Sequence, residues 1–139
     1  MGTLKQPKKP LVAVVDDDES IRDTTKDLLD SVSFRTATFA SAEAFLKSPR
    51  FARVSTLIAD MRMPGMSGLE LHHHLVASGN PVPIILVTAY PEEAVRARAL
   101  QAGVLCYLAK PFVAEELLAC VGTAITAGKQ KATRGPVSE

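Results

Sequence analysis

Four groups of polar side chains carry the chemistry of this 139-residue chain. Asp16, Asp17, Asp18 and Glu19 follow the apolar run Leu11–Val15, Asp60 follows Val54–Ala59, Thr88 follows Ile84–Val87, and Lys110 comes just after Val104–Leu108. Clustered carboxylates repel one another and are costly to hold together without a counter-charge, which an oxygen-preferring divalent cation such as Mg2+ supplies. A carboxylate beside such a cation can attack an electrophilic phosphorus and form an acyl phosphate. Positive charge from the cation and an ammonium then neutralises the phosphoryl oxygens, while a hydroxyl donates a hydrogen bond to one of them. Lysine suits that task as a compact point charge. Taken singly, each residue has a plainer role: Asp18 as a helix cap, Thr88 as a turn residue, Lys110 as a solvated charge before a proline. Taken together, each at the end of an apolar run, they point to phosphoryl transfer.

The elements that must position them are legible as five apolar runs, the four above with Ile84–Val87 and Val104–Leu108 last, and Phe34–Phe39 second. Their starts lie roughly 20–30 residues apart, the span of a strand, a helix and two loops. The first, third and fourth are nearly unbroken, as in parallel strands covered on both faces. Between them Ile21, Leu28, Leu29 and Val32 share one helical stripe, as do Leu117, Leu118, Val121 and Ile125. Ser67 and Glu70 form a capping box for a helix that Gly79 and Pro81 stop, and Ser41 caps a short helix. Pro91 opens a helix ending near Gly103, and a last helix runs from Val113 to Ala127. The pattern predicts a doubly wound α/β domain: a five-stranded parallel sheet with helices on both faces. In such a sheet ligands bind outside the carboxyl ends of the strands, where the polar residues fall.

Composition narrows the function. Sixteen basic and fifteen acidic residues give a net charge of +1, which excludes adhesion to nucleic acid through bulk charge. With 47% hydrophobic and 22% charged residues the chain is not intrinsically disordered, and the lack of Trp argues against a base-stacking platform. Cys106 and Cys120 fit neither a disulfide framework nor a zinc site, so a reducing cytoplasm is the expected compartment and packing their expected role. No apolar run is long enough to span a bilayer, so no membrane partner is expected. Residues 1–10 read as a polar arm, 11–127 as the domain, and 128–139 as a flexible tail or linker stub.

The segments VVDDDES (Val14–Ser20), LIADMRMPGMSGLEL (Leu57–Leu71), VTAY (Val87–Tyr90) and YLAKPF (Tyr107–Phe112) resemble the receiver domains of bacterial two-component response regulators. The steps from Asp17 to Asp60, Thr88 and Lys110, of 43, 28 and 22 residues, are similar to that family's spacing. The resemblance covers about residues 10–127 and implies a flavodoxin-like strand order 2-1-3-4-5. It makes Asp60 the phosphoacceptor, with Mg2+ held by Asp17, Asp60 and the backbone carbonyl of Arg62, and by Asp16 through water. It places Thr88 and Lys110 on the phosphoryl group, makes Tyr107 the switch aromatic that turns inward with Thr88, and implies a cis Lys110–Pro111 bond. The implied partners are a sensor histidine kinase or a histidine phosphotransfer protein, and a phosphorylation-dependent second copy. The segments Ser41–Leu46 and Met61–Ser67 resemble in particular the nitrogen-fixation-type transcription regulators, which carry a helix-turn-helix domain after the receiver. The chain then reads as a stand-alone receiver or as the N-terminal part of such a regulator, reaching nucleic acid only through an output domain it does not contain.

Arg62 and Tyr90, each two residues beyond a site residue, are expected to stack over the phosphoryl group and slow its hydrolysis. His72, His73 and His74 cannot converge on one metal, because successive helical residues point about 100° apart; they read as a solvated helix face. A haloacid-dehalogenase-like phosphohydrolase is the rival reading, since Asp16-Asp17-Asp18 satisfies its opening motif. That rival leaves Asp60 without a role and finds no late acidic pair after the lysine.

Overall fold

The computed structural model describes the backbone of residues 9–49 and 53–134 and the side chains of those up to 127. Five strands alternate with five helices: β1 (Leu11–Val15), α1 (Glu19–Ser31), β2 (Arg35–Phe39), α2 (Ala42–Lys47), β3 (Thr56–Asp60), α3 (Gly68–Ala77), β4 (Ile84–Thr88), α4 (Glu93–Gln101), β5 (Cys106–Ala109) and α5 (Ala114–Arg134). All strand pairs are parallel, in the order β2-β1-β3-β4-β5. The order reverses between β1 and β3, so the carboxyl ends of those two strands flank the crevice where open α/β sheets bind ligands.

Strands β1, β3 and β4 are buried along their whole length, which is why their sequences do not alternate. Successive side chains point to opposite faces. Leu11, Ala13, Val15, Leu57, Ala59, Ile84 and Leu86 pack with Phe45 of α2, Leu71 and Leu75 of α3 and Ala99 of α4. Val12, Val14, Ile58, Ile85 and Val87 pack with Leu29 of α1 and Leu117 and Val121 of α5. Cys106 and Cys120 border this second core; burial, with the Cys120 thiol beside it, pushes the Cys106 thiol up to about 12. Both are packing residues.

Local signals explain most boundaries. Asp18 accepts from the Ser20 and Ile21 amides and starts α1, Ser41 accepts from Ala44, and Ser67 and Glu70 form both bonds of a capping box. Gly68 begins α3 so close to β3 that a Cβ there would lie 2.5 Å from the Asp60 carbonyl oxygen and 2.8 Å from Leu86 Cδ2.

Four expectations need correction. Helix α4 begins at Glu93 rather than Pro91, with no side-chain cap. Helix α5 continues past Ala127 to Arg134, because Gly128 is followed by the helix formers Lys129, Gln130, Lys131 and Ala132 and a lone glycine costs only about 1 kcal/mol. Val32 is the C-terminal cap of α1 and is exposed rather than part of its buried stripe. His72 is not on a solvated face: it is 6% exposed, and its Nε2 donates to the Ala102 carbonyl at 3.0 Å. His73 and His74 are exposed. Residues 1–8 of the polar arm, and 135–139 of the tail, lie outside the described residues.

Candidate phosphoryl-acceptor site

The ends of β1, β3, β4 and β5 each deliver a polar group to the crevice because the apolar run stops there. Asp16 follows β1; its amide donates to the Phe39 carbonyl, and its own carbonyl accepts from Arg22 Nη1 at 2.7 Å. Asp60 is the last residue of β3, in register with Val87, and its Oδ1 accepts from the Arg62 amide at 3.3 Å. Thr88 ends β4, buried, with its hydroxyl accepting from the Tyr90 amide. Lys110 follows β5, its amide donating to the Thr88 carbonyl at 2.7 Å, and the Lys110–Pro111 bond is cis.

Side chains converge around one cation. Lys110 Nζ donates to Asp16 Oδ2 at 2.8 Å and lies 3.4 Å from Asp60 Oδ2. Burial alone would depress the lysine's proton affinity; the hydrogen-bonded Asp16 carboxylate and the Asp60 charge outweigh it and hold Lys110 above its usual range. Burial, and then the Asp16 charge, raise the Asp60 carboxyl above its ordinary value, with Lys110 and the Arg62 amide acting against them. Asp60 therefore carries a charge that its surroundings only partly compensate.

Carboxylate oxygens of Asp16, Asp17 and Asp60 lie within 4.8 Å of one another, and this is the one such group of potential metal ligands among the described residues. Three oxygen donors with no nitrogen or sulfur fit a hard divalent cation such as Mg2+, and the excess negative charge gives the cation a purpose. Asp18 stands apart as the α1 cap.

Beside this cluster, Met61, Arg62, Met63, Ser67, Thr88, Tyr90, Glu92, Val95 and Tyr107 line an open cavity of about 370 Å³. Tyr107 reaches along it to accept from the Glu92 amide at 3.4 Å. Arg62 lies over Tyr90, 5.3 Å from the ring centroid, and its guanidinium is 3.8 Å from Glu92. Arg62 and Tyr90 are therefore stacked on each other. Glu92 was missed, because nothing in its sequence neighbourhood distinguishes it from Glu93 as a partner for Arg62.

Residues 12–122 match the model of the response regulator receiver domain. The chain belongs to that family. This receiver is 32% identical to the transcriptional regulatory protein FixJ of Bradyrhizobium diazoefficiens over 128 residues, covering 92% of this chain and 62% of that one. It is also 32% identical to the response regulator protein TmoT of Ectopseudomonas mendocina, covering 93% of this chain and 59% of that protein. The chain thus spans about three fifths of the curated relatives it matches. Among solved structures it superposes on the response regulator StyR with a TM-score of 0.83 and 38% identity, covering 90% of this chain and 63% of that one. On FixJ-N the TM-score is 0.76 with 28% identity, covering 86% and 96% of the two chains. The flavodoxin-like order and the likeness to nitrogen-fixation-type regulators both hold, and a haloacid-dehalogenase-like phosphohydrolase is not supported. Among the described residues no helix is long and apolar enough to cross a membrane.

Proposed function

We propose that this receiver takes a phosphoryl group onto Asp60 from the phosphohistidine of a sensor kinase or phosphotransfer protein. The observation that carries this reading is the convergence of Asp16, Asp60 and Lys110 from three strand ends, with Asp17 alongside. An Asp60 carboxylate oxygen attacks phosphorus in line, the P–N bond to the donor imidazole breaks, and the imidazole leaves with a proton from solvent. Lys110 pairs with one phosphoryl oxygen as the negative charge shifts, and the Thr88 hydroxyl donates to another. Asp17, Asp60 and the Arg62 carbonyl would hold Mg2+, with Asp16 acting through water; when bound, the cation supplies charge neutralisation at the phosphoryl oxygens.

The same reading covers the signal's fate. The chain is a phosphoacceptor rather than a turnover enzyme. The Arg62–Tyr90 stack supports slow self-dephosphorylation, because neither side chain supplies a carboxylate or amide to orient the attacking water. Drawing Thr88 toward a phosphoryl group frees room in the cavity for Tyr107 to turn inward, releasing the Glu92 amide and changing the α4–β5–α5 surface that would dock a second copy. Cytoplasmic kinase and output partners follow from the same reading.

Acetyl phosphate with Mg2+ should add one phosphoryl group, trapped by borohydride at Asp60 and absent in Asp60→Asn. Its decay should quicken in the Arg62→Asn, Tyr90→Glu double variant. Labelling at another residue, or steady phosphatase turnover abolished by Asp16→Asn, would overturn the assignment.

A further inference from the structure

The segment from Met61 to Ser67 joins Asp60 to α3 and bears the Arg62 carbonyl assigned above to the cation. Its two ends are tied to the scaffold: Met61 donates to the Val87 carbonyl, Gly68 donates to the Met61 carbonyl, and Ser67 donates to Glu70. Its middle is tied at one place. The Met66 amide donates to Glu43 Oε2 at 3.0 Å, and among the described residues no other side chain hydrogen-bonds the backbone from Met63 to Met66.

Glu43 belongs to a different element, the short helix α2. That helix is fixed by the Ser41 cap, by fully buried Ala42 and Phe45, and by the edge-on contact of Phe45 with Phe39 at 5.4 Å. Glu43 is thus an acceptor on a rigid post. The turn is shaped to receive it: Gly65 has φ +80°, and a Cβ there would stand 2.8 Å from Glu43 Oε2 and 3.3 Å from both Cδ and Oε1. A left-handed glycine beside a free amide makes a concavity that accepts an anion, here filled by the chain's own carboxylate.

We propose that Glu43 is a positioning residue for the phosphoryl-acceptor site: it pins the β3–α3 loop through Met66 and so presents the Arg62 carbonyl to the cation. This rests on the cation site proposed above. A pinned carbonyl binds without the entropy cost of ordering its loop; an unpinned one must meet that cost on each binding event.

The test is a titration of the intact chain with Mg2+ alone, followed by amide NMR at Asp60–Arg62, with thermal unfolding measured in parallel. Glu43→Ala should weaken Mg2+ binding about three- to tenfold, the size of one exposed charge-assisted hydrogen bond, and should remove exchange protection at the Met66 amide. Glu43→Gln, which keeps an acceptor oxygen, should stay within about twofold of the parent. Gly65→Ala leaves α2 intact, displaces the carboxylate and should weaken binding like Glu43→Ala, which covers the case of a Glu43→Ala chain that does not fold. Unchanged affinity in Glu43→Ala and Gly65→Ala overturns the proposal. So does a loss in Glu43→Gln equal to that in Glu43→Ala, which assigns the effect to the carboxylate's field. A parent whose Mg2+ response is absent, or survives Asp17→Asn, refutes the cation site itself.

Discussion

Helix α1 enters the fold on an Asp18 carboxylate that accepts from two amides, and it buries Leu29 completely in the core beneath β1 and β3. Helix α4 begins at Glu93, after an N-cap Glu92 that makes no side-chain capping bond, and buries a single residue, Ala99. What holds α4 is at its two ends. Tyr107 and Arg62 engage Glu92 at the first turn, and His72 engages the Ala102 carbonyl after the last. The acidic loop is therefore mounted on a packed element, whereas the loop after Thr88 is mounted on one joined by a few polar contacts. For the function proposed above this division is useful: the Asp16 and Asp17 carboxylates that would hold the cation stay fixed, while the surface after Thr88 moves at small cost.

The largest test of that contrast is truncation in the two helices. Leu29→Ala should cost about 2–5 kcal/mol, because the cavity left at a fully buried site cannot collapse. Leu100→Ala, at the half-buried end of α4, should cost about 1 kcal/mol or less. Denaturant unfolding of both variants checks this, and equal costs would break the comparison.

Removing the caps gives a smaller difference. Asp18→Ala should destabilise by about 1 kcal/mol, since the Ser20 and Ile21 amides lose their acceptor, while Glu92→Ala should cost no capping energy. Amide exchange in the first turn of each helix would show it: protection falls in α1 and stays as it was in α4.

The smallest effect concerns charge at Asp60, the last residue of β3. Folding raises the Asp60 carboxyl above its ordinary value, so between the two values the native chain binds more protons than the unfolded one. The contribution of Asp60 to stability consequently falls as pH rises through that window. In Mg2+-free buffer at neutral pH, Asp60→Asn should melt above the parent, and the gain should vanish below about pH 3, where the aspartate is protonated in both states. Identical melting at every pH would show that the site carries no such strain.

Strands β1, β3 and β4 were legible because full burial leaves an unbroken apolar run, and the polar residue ending each run is the residue at the site. Capping residues were legible for the same local reason. What escaped depends on contacts between distant segments. Three adjacent histidines look alike in sequence, and His72 differs only because its face of α3 meets the end of α4, thirty residues on. Glu43 is an exposed glutamate in a short helix, and its partner lies 23 residues away in a loop. Gly128 resembled a stop because one glycine often is one, but four helix formers follow it.

Gly68 has a consequence in the gene. Its helix starts where even one methyl would lie 2.5 Å from the Asp60 carbonyl oxygen, a backbone atom that cannot step aside without moving Asp60 itself. Every single-base change in a glycine codon that exchanges the residue for another introduces a Cβ. Position 68 thus has no conservative neighbour in codon space, and a lineage that alters it must either restore glycine or shift α3 away from the strand that carries Asp60.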